Sequence, residues 1–421
     1  YVGPQSSPTI ANVNITDCLV FTGNGGAIYV DVNSSPTFRN VTVSNCVAFS
    51  GSGGGVYIDV NSAPTFERCL ITNCSALGGS GGAVYCGTDS YALFIDCNFV
   101  DNYASFNGGG FFYNTDSISM LNRCELVGNV TGADGGAIYY TALCVAEVND
   151  CNFVANVASG DGGGILCDRD SLITVAISDF NDNAATNGAG IYFEPNCIST
   201  VAESIFVNND ADEDGGAIYF AEANDISIVD CNLAFNTAVR GGALFCYESP
   251  NSRIINCSIQ HNESARITIF YDYYTIDPND PNVPPIPGGD PNDPNTIVVV
   301  RVDRSGIAQG GGIYSFAGPT LIANCDISSN STSTSGGGIY LAGGEYDVTE
   351  LWNCVISNNA ATRDGGGVST NWQQELVISN CTIANNTLSG IVSYGGGLYC
   401  SYDSNTAVVD SIIWSNTGQK G

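Results

Sequence analysis

A small-residue pair followed by an apolar–aromatic pair recurs along this chain, and no other feature limits its fold so tightly. The copies start at Gly25, Gly53, Gly81, Gly108, Gly135, Gly162, Gly188, Gly215 and Gly241. After a gap they resume at Gly310, Gly336, Gly365 and Gly395, reading GGAIY, GGGVY, GGGFF and close variants throughout. Outside the gap, successive starts lie 26 to 30 residues apart. A unit that short cannot bury a core alone, so the copies have to stack on one another.

A second element precedes each copy: Cys or Ser, any residue, an apolar residue, two more, then Asn, as in Cys97 to Asn102 and Cys151 to Asn156. Ser178 to Asn183 and Ser204 to Asn209 put Ser for Cys, and the first three coils read as a variant one residue shorter, ending at Asp17, Asn45 and Asn73. Apolar positions alternate, as at Ile95, Cys97 and Phe99, which is strand periodicity; no segment sustains a 3.6-residue period. Gly, Asn and Asp punctuate the strands and suit corners that need positive φ. Short strands at constant spacing without helices specify an all-β chain, a right-handed parallel β-helix of about fifteen coils over residues 1–421. Three strands and three turns would fill each coil, giving a rod of roughly 70 Å at about 4.8 Å per coil.

In such a stack, like residues lie over like. The Asn column is expected to run from Asn45 and Asn73 through Asn102, Asn129, Asn156, Asn183, Asn209, Asn236 and Asn262 to Asn416. An amide donates to one neighbour and accepts from the other, so the column satisfies itself inside a turn. Cys97, Cys124 and Cys151 belong to a second inward column, with Cys69, Cys231, Cys257, Cys325, Cys354 and Cys381. Ser178, Ser204 and Ser411 replace Cys there, which a required disulfide would not tolerate, so these read as reduced, buried thiols. Cys18, Cys46 and Cys74 form a separate short column; Cys144 with Cys167, and Cys69 with Cys74, are the candidates for oxidation. No CxxC pair points to zinc.

Tyr29, Tyr57, Tyr85, Tyr139, Tyr192 and Tyr219, continued by Phe112, Phe245, Tyr314, Tyr340 and Tyr399, form an aromatic column one residue after the inward Ile and Val set. Adjacent strand residues face opposite ways, so these rings point outward. Two readings stay open: ring stacking that stiffens the sheet, or a contact strip for a sugar or another protein.

With 42 acidic and 11 basic residues, the net charge is −31, and such a surface repels nucleic acid and anionic membrane. It suits divalent cations, and Ca²⁺ is the cofactor to consider. The weak candidates are Asp210, Asp212, Glu213 and Asp214 in one acidic run, and Asp277, Asp280, Asp290 and Asp293 in the gap. No apolar run of about 18 residues is present to cross a bilayer as a helix. Because residue 1 is Tyr1 rather than Met, the chain reads as a trimmed product, uninformative about an export leader.

Repeated GGA[ILV] motifs, here at Gly25, Gly81, Gly135, Gly215 and Gly241, combine with FxxN at Phe99–Asn102, Phe153–Asn156, Phe180–Asn183 and Phe206–Asn209. This pairing resembles the repeats of the chlamydial polymorphic outer membrane proteins, over essentially the whole chain apart from residues 265–309. The resemblance implies a right-handed β-helix passenger displayed on a bacterial surface, in a family of adhesins and autotransporters. The chain departs from that family in carrying no C-terminal barrel strands, so self-translocation is not implied.

The Pro- and Asp-rich segment 271–296 breaks the period and is expected to be an inserted surface loop, flanked by strands Arg266–Phe270 and Thr296–Val302 that keep the solenoid continuous. No amphipathic capping helix marks either end, so copies are expected to add head to tail, or the chain to continue. The expectation is therefore a secreted structural or adhesive surface protein, polymerising into an extracellular filament and touching a glycan or neighbouring cell. The alternative is a carbohydrate-binding or polysaccharide-degrading β-helix. No enzyme is expected, because Arg residues do not cluster beside carboxylates. Arg240 and Arg266 share a turn position on adjacent coils, Asp214 is expected to pair with Arg240 at little energetic gain, and His261 reads as structural.

Overall fold

A computed structural model describes residues 1–249, 251–265, 268–275, 286–287, 296–303, 308–317, 321–343, 348–401 and 403–418. The chain is all-β, a right-handed parallel solenoid of about 13 turns. Each coil carries four strands rather than the expected three. In one coil these are Val84–Cys86, Tyr91–Ile95, Asn98–Val100 and the two-residue Tyr103–Ala104, each paired in parallel with its equivalents one coil away. We call the resulting stacks sheets 1 to 4; sheets 2 and 3 have 14 strands, sheets 1 and 4 have 13. The estimate of fifteen coils fails because residues 266–307 add length without adding a rung. Sheet 1 passes directly from Leu244–Tyr247 to Ile313–Phe316 across them.

Corners make the coil, and they share one design. Between sheets 2 and 3 a single residue takes the left-handed region, as at Asn40, Asp96 and Asp230; between sheets 3 and 4 the equivalents include Asn73, Asp101 and Asp182. Asn and Asp tolerate this conformation best, which explains the punctuation. The corner into sheet 1 uses the first glycine of the signature, for example Gly53 at φ 68°. The second glycine has a different reason: a Cβ on Gly54 would sit 2.4 Å from the Gly82 carbonyl oxygen of the next coil. Only a hydrogen lets two coils approach that closely.

The residue after each left-handed corner points inward. After the third-sheet corner, the Asn column is continuous from Asn102 to Asn416, each side-chain amide donating to the next Asn Oδ1 at 2.9–3.1 Å. Asn45 and Asn73 do not belong to it. They are the left-handed corner residues themselves, at φ 54° and 51°, and Cys46 and Cys74 occupy the ladder position. The Cys74 N–H donates to Asn102 Oδ1 at 3.0 Å, so the short Cys column is the start of the Asn column and the coil is not one residue shorter.

Cys97, Cys124 and Cys151 follow the second-sheet corner as expected, all buried, and every cysteine is a free thiol, the pairs singled out for oxidation included. Cys97 Sγ lies 3.2 Å from the Ile95 carbonyl and 3.5 Å from that of Phe66, while the Cys69 N–H points at Cys97 Sγ. Ser178 and Ser204 take over that geometry with their hydroxyls. A third column, unseen in the sequence, follows the first-sheet corner. It holds Ser34, Ser62, Ser90, Ser117, Cys144, Ser171, Cys197, Asn224 and Ser249, all buried.

One apolar core fills the tube. Phe38, Phe66 and Phe94 stack on the sheet 2 side at 4.6 and 4.9 Å, and Phe153, Phe180 and Phe206 on the sheet 3 side at 4.5 and 4.6 Å. Where the solenoid meets its insertion, Thr268–Thr275 and Thr296–Asp303 pair with each other in antiparallel fashion, and Ile286–Pro287 adds to Thr268–Thr275. These flanking strands were expected to continue the solenoid; they form a separate three-stranded sheet instead, because their backbones pair with each other in antiparallel register. In the last rungs the inward residues Val408 and Ile413 are 43% and 46% exposed.

Candidate functional site

Sheet 1 turns one residue of each strand outward, and these build an aromatic column. Neighbouring ring centroids among Tyr29, Tyr57, Tyr85, Phe112 and Tyr139 lie 4.8–5.5 Å apart. Those among Tyr192, Tyr219, Phe245, Tyr314 and Tyr340 lie 4.6–5.3 Å apart. The rung spacing alone sets these distances. Within each run, every ring face is covered by the next ring, so the strip offers a visitor edges and not faces.

The hydroxyls are committed as well. Tyr29 donates to Asp59 at 2.6 Å, and Asn114 and Asn371 donate to the oxygens of Tyr85 and Tyr340 at 3.2 Å. Arg240 lies 4.9 Å from the Phe245 centroid and 5.5 Å from that of Tyr314. Burial pushes the phenols up, Tyr57 to about 12. The column is thus half sunk in a trough between two polar flanks.

Two positions lack a ring. Leu166 fills the first and is itself buried. At the second, Ser369 stands between Tyr340 and Tyr399 in register and is buried as well. A cavity of about 400 Å³ opens there, lined by Tyr340, Ser369, Tyr399, Arg363, Asp364 and Trp372 among others. Trp372 follows the strand Val368–Asn371 and, with Gln373, takes the left-handed region at φ 58° and 54°. A bulky residue there is strained, and this turn holds the indole 66% exposed beside the cavity. The Trp372 backbone N–H donates to Asn371 Oδ1 at 3.0 Å. Burial raises the Asp364 carboxyl above its ordinary range, although Arg363, 4.0 Å away, pulls it down. This site was not singled out from sequence. Its signal is present, in that the signature at Gly365 reads GGGVS where its neighbours read GGGIY and GGGLY.

The acidic run Asp210–Asp214 is a sheet 4 strand. Asp210 accepts from the Thr237 hydroxyl. Asp210 and Asp212 line a shallow cavity of about 220 Å³ with Glu263. Among the described residues no group of three or more His, Cys, Asp or Glu side chains is placed to hold a metal ion. Asp277, Asp280, Asp290 and Asp293 lie outside the described residues, as does Arg266.

Asp214 and Arg240 do pair, and more firmly than expected: the Arg240 fork meets both carboxylate oxygens, with Nε 2.7 Å from Oδ1. Asp214 is buried while the Arg240 side chain is 40% exposed, so the contact is only partly solvated. His261 is an exposed left-handed corner residue stacked on Phe235 at 4.9 Å.

No curated protein matches the chain. The family model for a right handed beta helix region matches residues 1–162, 163–283 and 290–420. With the coil geometry described above, these matches show that the chain belongs to the right-handed β-helix family.

Proposed function

We propose that this chain is a secreted, bacterial surface-displayed rod with a structural or adhesive role, similar to polymorphic outer membrane protein passengers. The observation that carries the proposal is the allocation of residues. Left-handed corners, inward columns and an outer aromatic column recur from coil to coil along the solenoid, which is what rigidity requires. The strong acidity keeps such a rod soluble and apart from like-charged surfaces. At the last rungs the open strands and the half-exposed Val408 and Ile413 offer a template that another coil layer would cover, either of this chain or of a second copy.

Electron microscopy of the native secreted product tests this reading. Long rods, or short ones joined end to end at cell surfaces, are expected. Isolated short rods of the intact, full-length product, free of any surface, would overturn it. A second reading, carbohydrate binding, is favoured by the cavity beside Ser369, which has the size of a small-molecule site and a lining of hydrogen-bonding side chains next to Tyr399 and Trp372. Cleavage of a polysaccharide by the purified protein would move the assignment from scaffold to enzyme.

A further inference from the structure

The outward face of sheet 2 carries an apolar stripe that the solenoid itself does not cover. Tyr91, Ile118, Val145 and Leu172 open successive strands in register, and the same register carries the stripe to Ile198. All five are 40–59% exposed. Four rung steps make the stripe about 19 Å long. Beyond Ile198 the position passes to Asp225. Leu143 widens the stripe at its middle rung. It takes the left-handed corner position at φ 64°, where the coils on either side use Asp116 and Asp170, and it is 50% exposed. A leucine is disfavoured in that conformation and gains little burial there, so the fold alone gives no reason for it. Contiguous exposed apolar surface of this kind marks a docking face.

The charges beside the stripe are carboxylates. Asp89, Asp116 and Asp170 line its corner edge and Glu147 stands on the other side, all exposed. Between Tyr91 and Ile198 the only basic residues are Arg123 and Arg169, and each is turned to an aspartate, Asp96 and Asp168 respectively. A second copy of this chain would bring carboxylates to carboxylates at a net charge of −31, and anionic lipid would be repelled likewise. We propose that the stripe is a docking site for a cationic amphipathic helix of another protein, with its apolar face on the stripe and Lys or Arg along its edges.

Spacing selects the helix. Side chains along the stripe recur about every 4.8 Å. Same-face residues of an extended peptide recur about every 6.6 Å and lose register within two rungs. A helix returns to one face about every 5.4 Å, and a tilt of about 27° brings that to the rung spacing. About 13 residues of helix span the stripe. The proposal goes beyond the surface-rod reading and does not depend on it, because the stripe lies on a flank and not at an end.

Calorimetry on the full chain tests the assignment with a synthetic peptide of about 14 residues, leucines at helical spacing and lysines between them. One saturable site is expected, at least tenfold tighter than for a peptide of the same length with leucine and lysine strictly alternating, or for the glutamate counterpart of the helical one. Leu143→Asn, Val145→Thr and Leu172→Thr together remove apolar surface and keep every charge. The triple variant should bind the helical peptide tenfold or more weaker, with its circular dichroism unchanged. Where it does not fold, Val145→Thr alone carries the test, with about threefold weakening expected. Ile205→Thr, at an exposed apolar position of sheet 3, should leave binding as it was. Absence of saturable binding, equal binding of the alternating peptide, or unchanged affinity in a folded stripe variant would overturn the proposal, the last leaving only a bulk charge attraction. Sedimentation of the chain alone gives the remaining check: a dimer that the stripe variants dissociate would assign the face to a second copy and overturn the helix.

Discussion

The side-chain amide of Asn129 donates to Oδ1 of Asn156 at 3.0 Å, and the same oxygen also takes the Asn129 backbone N–H at 3.0 Å. Asn156 in turn donates to Asn183 Oδ1 at 3.0 Å and to the Leu126 carbonyl at 2.9 Å. One buried side chain therefore satisfies two corner backbone groups of the preceding coil and ties itself to the Asn of the next. Asn156→Ala strands two donors on Asn129 and an acceptor on Leu126, and leaving buried groups unpaired is costly. A loss of about 2–4 kcal/mol is expected in urea unfolding. A change within error would mean the column is ornamental.

Ile177 presents the opposite case. It occupies the second-sheet corner at φ 51°, where most coils use Asn, Asp or Arg, and its side chain is 52% exposed. A β-branched residue in the left-handed region costs about 1–2 kcal/mol, and little burial offsets it here. Ile177→Asn should stabilise the protein by about 1 kcal/mol. Destabilisation would show that Ile177 makes a contact that matters more than its backbone strain.

Acidification should strengthen the fold. Burial raises the carboxyls of Asp161, Asp179, Glu194, Asp214 and Asp364. A carboxyl whose folded pKa exceeds its unfolded value contributes its full stability below the unfolded value and loses it as pH rises through the folded one. Relief of self-repulsion acts in the same direction. The melting temperature is expected to rise as pH falls from neutrality toward the ordinary carboxylate range; a fall would contradict the sign. At the alkaline end the raised Tyr57 phenol stays neutral to about 12, so tyrosinate absorbance should lag that of the unfolded chain and stability should decline above pH 10.

Thiol chemistry separates position from type. Cys400 is exposed and Cys18 partly so, while the remaining cysteines are buried. A thiol reagent should titrate Cys400 rapidly and Cys18 more slowly in the native state, the others only on unfolding. Cys151→Ser should be nearly neutral, because Ser178 and Ser204 already use a hydroxyl in that geometry. A disulfide in the native protein, read by mass spectrometry, would contradict the reduced core.

The repeat interval, the inward Cys and Asn phases and the outward Tyr phase were all legible from sequence, because each repeats one side-chain type at one offset. The features that were missed broke that condition. The fourth strand is in most coils only two residues, as in Val47–Ala48, too short to show alternation. The Ser34 to Ser249 column mixes Ser, Cys and Asn, so identity hides its common geometry. Asn45 and Asn73 misled because Asn is both the best ladder amide and a favoured left-handed corner, and one residue of phase separates the roles. Thr296–Asp303 has the apolar, β-branched character of a rung, and pairing with Thr268–Thr275 comes from tertiary context. The cavity beside Ser369 accompanies an absent ring, which a search for shared residues passes over.

Register is what everything else rests on, and spin-label distances report it directly. Glu67 and Val229 occupy the same outward position of sheet 2, six rungs apart through Ile95, Asn122, Asn149, Ala176 and Ala202. With Cys18 and Cys400 replaced by Ser, labels on cysteines placed at Glu67 and Val229 should give one narrow electron–electron distance near 29 Å, at about 4.8 Å per rung. A broad distribution, or a centre displaced by two rungs or more, would contradict the in-register stack.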